Sequence, residues 1–579
     1  MAYTGPPDNI DYVEIYPPIG VARVGDSSEH FIASEVPGLE PIPNGGFKDG
    51  EGKIKKQAVR FRVYAFGKDS GLLGELDDPK KYRLTWKVHV ASKKAAWFQF
   101  PGSKGDPETW ELRNPGVQSG PKTTEFTNSR TELIIDSKEQ IIEGANAKDV
   151  FLNGKFGGGN SGIPLHEKVT LGELRTDPQG RLLVLASDGD SFSAAPPAHQ
   201  DINDRFNSDG WVDKMCDGTV RVTVKYKSDS QLERDITVKN RATIIVAPPR
   251  FSSGTHAPTT LYDLIEEMYE RPKRKQAGYK LGEVNYYRDI QPLFKRIYML
   301  SWTSRDASDG HGPGRTDVFD KASFSNPEAS NDERAALLFK RIRDPVIKGD
   351  PENQKTRNKQ TGARYMPELS GDQGPARGDS KASLTQLQHD RLMKWSDPSP
   401  GIHFTNKRPE VYKSFDEIPL NERPSALTRA ALEWSIGGAF YPGIETFWIV
   451  QDEDNYEPEN GQPGNRFRFA DKVTPGDLTK GLCLPWQSDF YMCTSDWWPS
   501  VRPFDVVTEA YFQQFRGTPP AQLASKLTNR WDWHRGINGN SEMVRKWTKL
   551  GFVAQQPYGN DPNLPEISIE RQRSTDLPL

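Results

Sequence analysis

The chain has 579 residues, ample for a large core, and its 76 Lys and Arg nearly balance its 79 Asp and Glu. A formal net charge of −3 sets up no strong field for nucleic acid or an anionic membrane, and no apolar run reaches the roughly 18 residues of a membrane span. Only three cysteines occur (Cys216, Cys483 and Cys493), which excludes a disulfide framework and suits a reducing compartment.

The first ten residues are polar and proline-rich, with no basic stretch leading into an apolar one. No secretory leader is therefore expected, and the expected location is cytoplasmic, with non-classical export left open. Residues 60–66 and 82–90 then alternate polar with apolar side chains, as half-buried strands do, and 131–135 and 219–224 repeat the pattern. Asp177-Pro178-Gln179-Gly180 between the runs 171–174 and 181–185 predicts a hairpin. Gly157-Gly158-Gly159-Asn160-Ser161-Gly162 lacks the Lys-Ser/Thr ending of a phosphate loop and reads as a plain turn. Residues 242–247 close the β region, and Pro248-Pro249 interrupts any continuing ladder.

From Thr259 the period lengthens. Leu261, Leu264, Ile265 and Met268 share one helical face. Ile290, Leu293, Phe294, Ile297 and Tyr298 do the same, with Asp289 placed as their N-cap. Further helices are predicted over 333–343, 384–395, 424–436 and 543–550. Residues 344–383 read as a long surface loop, as does the neighbourhood of His311, and the polar tail after Pro557 reads as frayed. The expected fold class is α+β. A β-rich domain of mainly antiparallel sheet is expected over 1–255, and a mixed helical and loop catalytic region over 256–579.

The chemistry concentrates in residues 484–503, which hold three Trp, one Cys and two Asp. Asp489, Cys493 and Trp497 are spaced by four and four, so on a helix they share one face and bring a carboxylate, a thiol and an indole together. Pro499 would end that helix. Spacing alone does not separate this reading from packing, since buried Cys commonly acts as a small hydrophobe and Trp pairs as core or rim. Nine His are scattered without His-Glu-x-x-His, and no Cys-x-x-Cys occurs, so no metal site is expected. No Gly-x-Ser-x-Gly elbow is present either.

This segment resembles the quinone-forming region of the cysteine tryptophylquinone oxidases, the family typified by lysine ε-oxidase and glycine oxidase. Six further strings keep the family's order. They are Ile15-Tyr16-Pro17-Pro18-Ile19-Gly20-Val21-Ala22-Arg23-Val24-Gly25-Asp26-Ser27, Asp289-Ile290-Gln291-Pro292-Leu293-Phe294, Gly437-Gly438-Ala439-Phe440-Tyr441-Pro442-Gly443-Ile444-Glu445, Pro475-Gly476-Asp477-Leu478-Thr479, His534-Arg535-Gly536-Ile537 and Trp547-Thr548-Lys549-Leu550-Gly551-Phe552. Each string is weak by itself; seven in order are specific.

The resemblance implies a cofactor, cysteine tryptophylquinone, made by joining a Cys sulfur to an indole ring that is oxidised to an ortho-quinone. Cys493 matches the family's cysteine. The tryptophan falls in Trp497-Trp498, with Trp497 favoured for its helical phase with Cys493; some relatives carry a longer insert between the two residues. Asp489 matches the carboxylate beside the quinone. His534 is a second site residue from its family-like string. Glu445 either binds the substrate amine or fixes local backbone, and Phe294 and Tyr298 either wall the pocket or pack the core. Val450 falls where relatives carry polar residues, which implies a less polar pocket.

The implied activity is oxidative deamination of an amino acid or related primary amine. The amine adds to the quinone carbonyl, and a base removes a proton from the amine-bearing carbon. The ring takes the electron pair and passes it to dioxygen, releasing aldehyde or oxo-acid, ammonia and hydrogen peroxide. The resemblance further implies a flavoprotein partner for maturation and a homo-oligomer; no nucleic-acid or membrane partner is expected. The alternative from another class is a non-catalytic β-rich binding scaffold without a mature quinone, which would be colourless.

Overall fold

The structure is a computed structural model that describes residues 3, 5, 7–68, 71–99, 111–117, 128–194, 202, 206–227, 233–313, 341–347, 350–360, 365–366, 383–396, 405, 407–437, 445–458, 466–494, 499–556 and 567–577. It divides into two compact units, residues 1–249, 412–432 and 444–489 in one, and 250–411, 433–443 and 490–579 in the other.

The first unit is built on a 14-stranded sheet. Its hub is the strand Lys56–Gly67, which pairs antiparallel with Tyr12–Tyr16, Gly71–Glu75 and Leu182–Ala186. The strand Cys216–Lys227 pairs antiparallel with Tyr82–Ser92 and with Ala242–Ala247. The predicted hairpin forms, with Thr176 opposite Leu182 and the Asp177 carboxylate accepting from the backbone N–H groups of Gln179 and Arg181.

Among the described residues two strand pairs are parallel rather than antiparallel, Ala242–Ala247 with Ile19–Arg23, and His30–Ile32 with Lys56–Gly67. The first has a visible cause. Both of its strands are buried along their whole length, the continuous apolar run typical of parallel pairing, whereas Tyr82–Ser92 alternates. The strand expected over 131–135 shrinks to Ile135–Asp136, and Asn128–Thr131 forms a helical turn instead. The buried Arg130 explains the change, because its guanidinium donates to the carbonyls of Ala96, Arg113 and Asn114. Later chain completes this unit: Leu427 of the helix Arg423–Leu432 packs on Tyr16, Tyr64 and Phe66.

In the second unit, Leu261–Arg274 is a helix opened by a capping box between Thr260 and Asp263, with the predicted apolar face buried. The helix Gln291–Met299 follows a π-helical turn, Tyr286–Ile290. That turn moves the cap. Asn285, not Asp289, accepts from the Arg288 N–H, while the Asp289 carboxylate accepts from the Asn285 N–H. Helices over Gln386–Ser396 and Asn540–Lys546 match the sequence periodicity. The loop expected over 344–383 contains the helix Pro351–Lys359, started by Asp350 as N-cap and Pro351 at its first position. His311 ends a helix, Arg305–His311, rather than lying in a loop. Of the helix predicted over 333–343, residues 333–340 lie outside the described residues. The tail is not frayed throughout: Ile567–Arg571 pairs with Phe552–Gln556, because Ile567 and Ile569 are fully buried in a core cluster.

Candidate functional site

The predicted cofactor segment opens on a seven-residue helix, Trp486–Met492. Its start is set by a buried ion pair. Asp213 pairs with Lys94 and also accepts from the Trp486 N–H at 3.0 Å. That satisfies a first-turn donor with no partner inside the helix and places negative charge at the positive end of the helix dipole. The Trp486 indole and the Gln487 amide both donate to the Gly189 carbonyl, at 2.9 and 3.2 Å, and the Ser191 hydroxyl donates to Gln487 at 2.6 Å. Two successive side chains are thus tied down, which fixes the rotation of the helix about its axis. Asp489, one position before Phe490, is buried. The preceding cysteine, Cys483, donates its thiol to the Pro485 carbonyl. Burial, and after it the Asp489 carboxylate, push that thiol well above its ordinary range. Cys483 therefore stays protonated and unreactive.

The helix ends at Met492, so Cys493 is the first residue beyond it, buried at 6% exposure. The expected helix does not run on through Cys493 and Thr494, the described residues that follow it. Instead the last turn is capped from elsewhere in the chain. The fully buried Arg502 donates Nε to the Phe490 carbonyl at 2.7 Å, Nη1 to the Pro503 carbonyl at 2.5 Å and Nη2 to His534 Nδ1 at 3.0 Å. The Phe490 carbonyl is one of the terminal acceptors a helix leaves unpaired, and a cation suits that end of the dipole. The returning chain is also pinned. Ser252 donates its N–H to the Val501 carbonyl and its hydroxyl to the Pro499 carbonyl, and Arg250 donates to the Ser500 carbonyl at 3.2 Å. Trp497 and Trp498, the predicted quinone tryptophans, lie outside the described residues.

His534 is brought to the helix end both by Arg502 and by an edge-on contact with Tyr491, 5.3 Å between ring centroids. Burial first, then Arg502 and Arg573, push the imidazole down to about 4, so it is neutral near pH 7. An arginine only donates, so Nδ1 must accept and the proton sits on Nε2. His534 is thus a hydrogen-bond donor at Nε2 and a poor base, which leaves Asp489 as the carboxylate among the described residues of this segment.

The remaining predicted residues have other partners. Glu445 is fully buried, with Arg23 Nη1 and Nη2 at 3.2 and 3.3 Å from Oε1. Phe294 packs against Trp395, ring centroids 5.9 Å apart, and Tyr298 borders two core clusters. Val450 is buried and its carbonyl accepts from the Tyr456 hydroxyl. Sequence reasoning missed Arg502, the Lys94–Asp213 pair and Arg250. Nothing local marks them, since each acts on a partner distant in sequence or through backbone atoms that no motif displays.

Cys493 is buried directly after the helix, and Asp489, four residues earlier in the chain, is buried too; a thiol and a carboxylate are the groups a thioether-linked quinone calls for. Two family models match the chain, L-lysine epsilon oxidase N-terminal over residues 16–238 and L-lysine epsilon oxidase C-terminal domain over residues 367–511, together more than half of it. The chain is 25% identical to the L-lysine 6-oxidase of Marinomonas mediterranea over 675 aligned positions, covering 95% of this chain and 88% of that protein. It is also similar in fold to crystal structures of the L-Lys epsilon-oxidase from the same organism. One, with TM-score 0.73 and 22% identity, covers 98% of this chain and 95% of that one. Another, the Schiff base intermediate of that oxidase with L-Lys, has TM-score 0.70 and 22% identity and covers 97% and 95%. The chain belongs to the L-lysine ε-oxidase family, a family of amine-oxidising quinoproteins.

Proposed function

We propose that this chain deaminates a primary amine oxidatively, using a cysteine tryptophylquinone made from Cys493 and Trp497 or Trp498. The overall reaction takes the amine, dioxygen and water to an aldehyde or oxo-acid, ammonia and hydrogen peroxide. The observation that carries the reading is the placement of Cys493. It is a buried thiol directly after a helix whose rotation and both termini are fixed, four residues along the chain from a buried carboxylate. The quinone, when formed, supplies an electrophilic carbonyl and an electron sink that standard side chains lack.

The chain's own residues do the rest. Asp489, a buried carboxylate, takes the proton from the amine-bearing carbon. His534 holds a donor at Nε2. Arg250 and Ser252 hold the backbone at Pro499 and Ser500. Maturation by a flavoprotein partner and assembly into a homo-oligomer belong to the same reading, by family likeness.

The test is the mass of the tryptic peptide spanning 481–516, from protein co-expressed with its native neighbours. The reading expects both quinone oxygens, the hydrogens of thioether formation missing, and Cys493 closed to alkylation, together with visible absorption and peroxide release on adding amines. A free thiol and unmodified tryptophans in native protein would overturn it in favour of the colourless scaffold. A link from Cys493 to Trp533, whose ring lies 6.3 Å from that of Phe490, would appear as two joined tryptic peptides and would move the quinone.

A further inference from the structure

Arg502 has a position that the family reading does not use. It is fully buried, carries a fixed positive charge, and spends its three donor directions on three acceptors from separate stretches of chain. One acceptor is the Phe490 carbonyl, three residues before Cys493. Another is the neighbouring Pro503 carbonyl. The third is a ring nitrogen of His534. Its guanidinium also lies over the Trp533 ring, 5.1 Å from the centroid. A planar fork of this kind fixes direction as well as distance, which a lysine ammonium does not.

We propose that Arg502 is a positioning residue of the quinone site: it locks His534 in the tautomer protonated at Nε2 and couples that imidazole rigidly to the helix end that carries Cys493. The proposal rests on the oxidase reading for its catalytic consequence, but not for the tautomer itself. The chemical logic is one of donors. With Nδ1 occupied by an N–H from arginine, the imidazole has its proton on Nε2 and that N–H is its donor. Without Arg502 either nitrogen can carry the proton, and the donor is present only part of the time. The electrostatic surroundings act in the same sense. The charged groups around His534 are Arg502 and Arg573, with Glu570 shared between Arg573 and Arg535. Tyr491 presents a ring edge, not a charge. Two cations near the ring oppose a third positive charge there, so neutrality and tautomer are set by the same neighbours.

The primary test is made on the wild-type protein and needs no turnover. Histidine labelled with ¹⁵N, assigned by comparison with His534→Gln, reports which ring nitrogen carries the proton. The expected pattern is a bare Nδ1 and a protonated Nε2 for His534 throughout pH 6–8, a window around the ordinary histidine range near 6.5. A protonated Nδ1, or an imidazolium in that window, would overturn the proposal whatever the enzyme does. The second test uses Arg502→Lys and Arg502→Gln. In each variant that retains the quinone absorption, the tautomer pattern becomes mixed and kcat falls about 10–100-fold, the usual range for loss of a residue that orients an active group, with KM changed less. In the His534→Gln background the same Arg502 substitutions add little further loss, since the amide carries a fixed donor. Full additivity there would also defeat the proposal. Absence of quinone absorption in the wild type would instead count against the oxidase reading and leave the tautomer result standing.

Discussion

At the scale of single residues, the division of labour between Asp489 and His534 follows from what each can do with a proton. His534 is bound through Nδ1 by a group that never accepts, so it donates; Asp489 is the carboxylate among the described residues of the segment that can accept. Replacement of Asp489 by Asn should therefore lower turnover by about 100-fold or more, the usual loss for a general base, measured as peroxide release per unit of quinone absorption. A loss under tenfold would remove Asp489 from the base role. Glu445 belongs to another class. It is fully buried with Arg23 as partner, so Glu445→Gln leaves a buried guanidinium uncompensated and should cost about 3–5 kcal/mol in urea unfolding. The double change Arg23→Met with Glu445→Leu should recover much of that loss. Equal instability of the single and double variants would show that packing, not charge, is what matters there.

Among the elements, the loop 474–479 that leads toward the cofactor segment is held by one side chain of the sheet. Asp217, in the strand Cys216–Lys227, accepts from the Gly476 N–H at 3.0 Å, the Thr479 N–H at 2.9 Å and the Thr479 hydroxyl at 2.7 Å. Burial raises this carboxyl to about 7 from its ordinary 3.8. A raised pKa means that the folded state binds the proton more tightly than the unfolded chain. The stability from that preference is therefore complete below about 4 and declines as pH rises toward about 7. Asp217→Asn keeps an acceptor and does not titrate. Its urea midpoint should lie below that of the wild type at pH 4.5, with the gap closing by pH 7.5, while Asp217→Ala should be the least stable at both, by about 2–4 kcal/mol for the lost bonds. A gap between Asn and wild type that does not change with pH would refute the assignment.

On the scale of the whole molecule, the sheet unit is not one continuous stretch of chain. It takes residues 412–432 and 444–489 as well as 1–249. A fragment ending at residue 255 would leave Arg23 without Glu445, Tyr64 without Leu427, and Asp217 without Gly476 and Thr479. Such a fragment should fail to show a cooperative urea transition, whereas the full chain shows one. A fragment that unfolds cooperatively with a dispersed amide spectrum would show that these late segments are dispensable.

What the sequence determined is what depends on local pattern. Alternation at 60–66, 82–90 and 219–224 produced strands, and the spacing of Leu261, Leu264, Ile265 and Met268 produced a helix, because period two and period 3.6 are properties of neighbouring residues. The Asp177–Gly180 turn was legible for the same reason. The tertiary structure decided the rest. The helix halts at Met492 rather than continuing to Pro499, its start is fixed by Asp213 and its end by Arg502, residues far from it in sequence or hidden in a loop. His534 could be named from its string, but its tautomer, and so its role, follows only from the guanidinium across from it. Hydrogen bonds to backbone carbonyls and the desolvation of buried charge leave no periodic trace, and they arise only when distant stretches of chain are brought together.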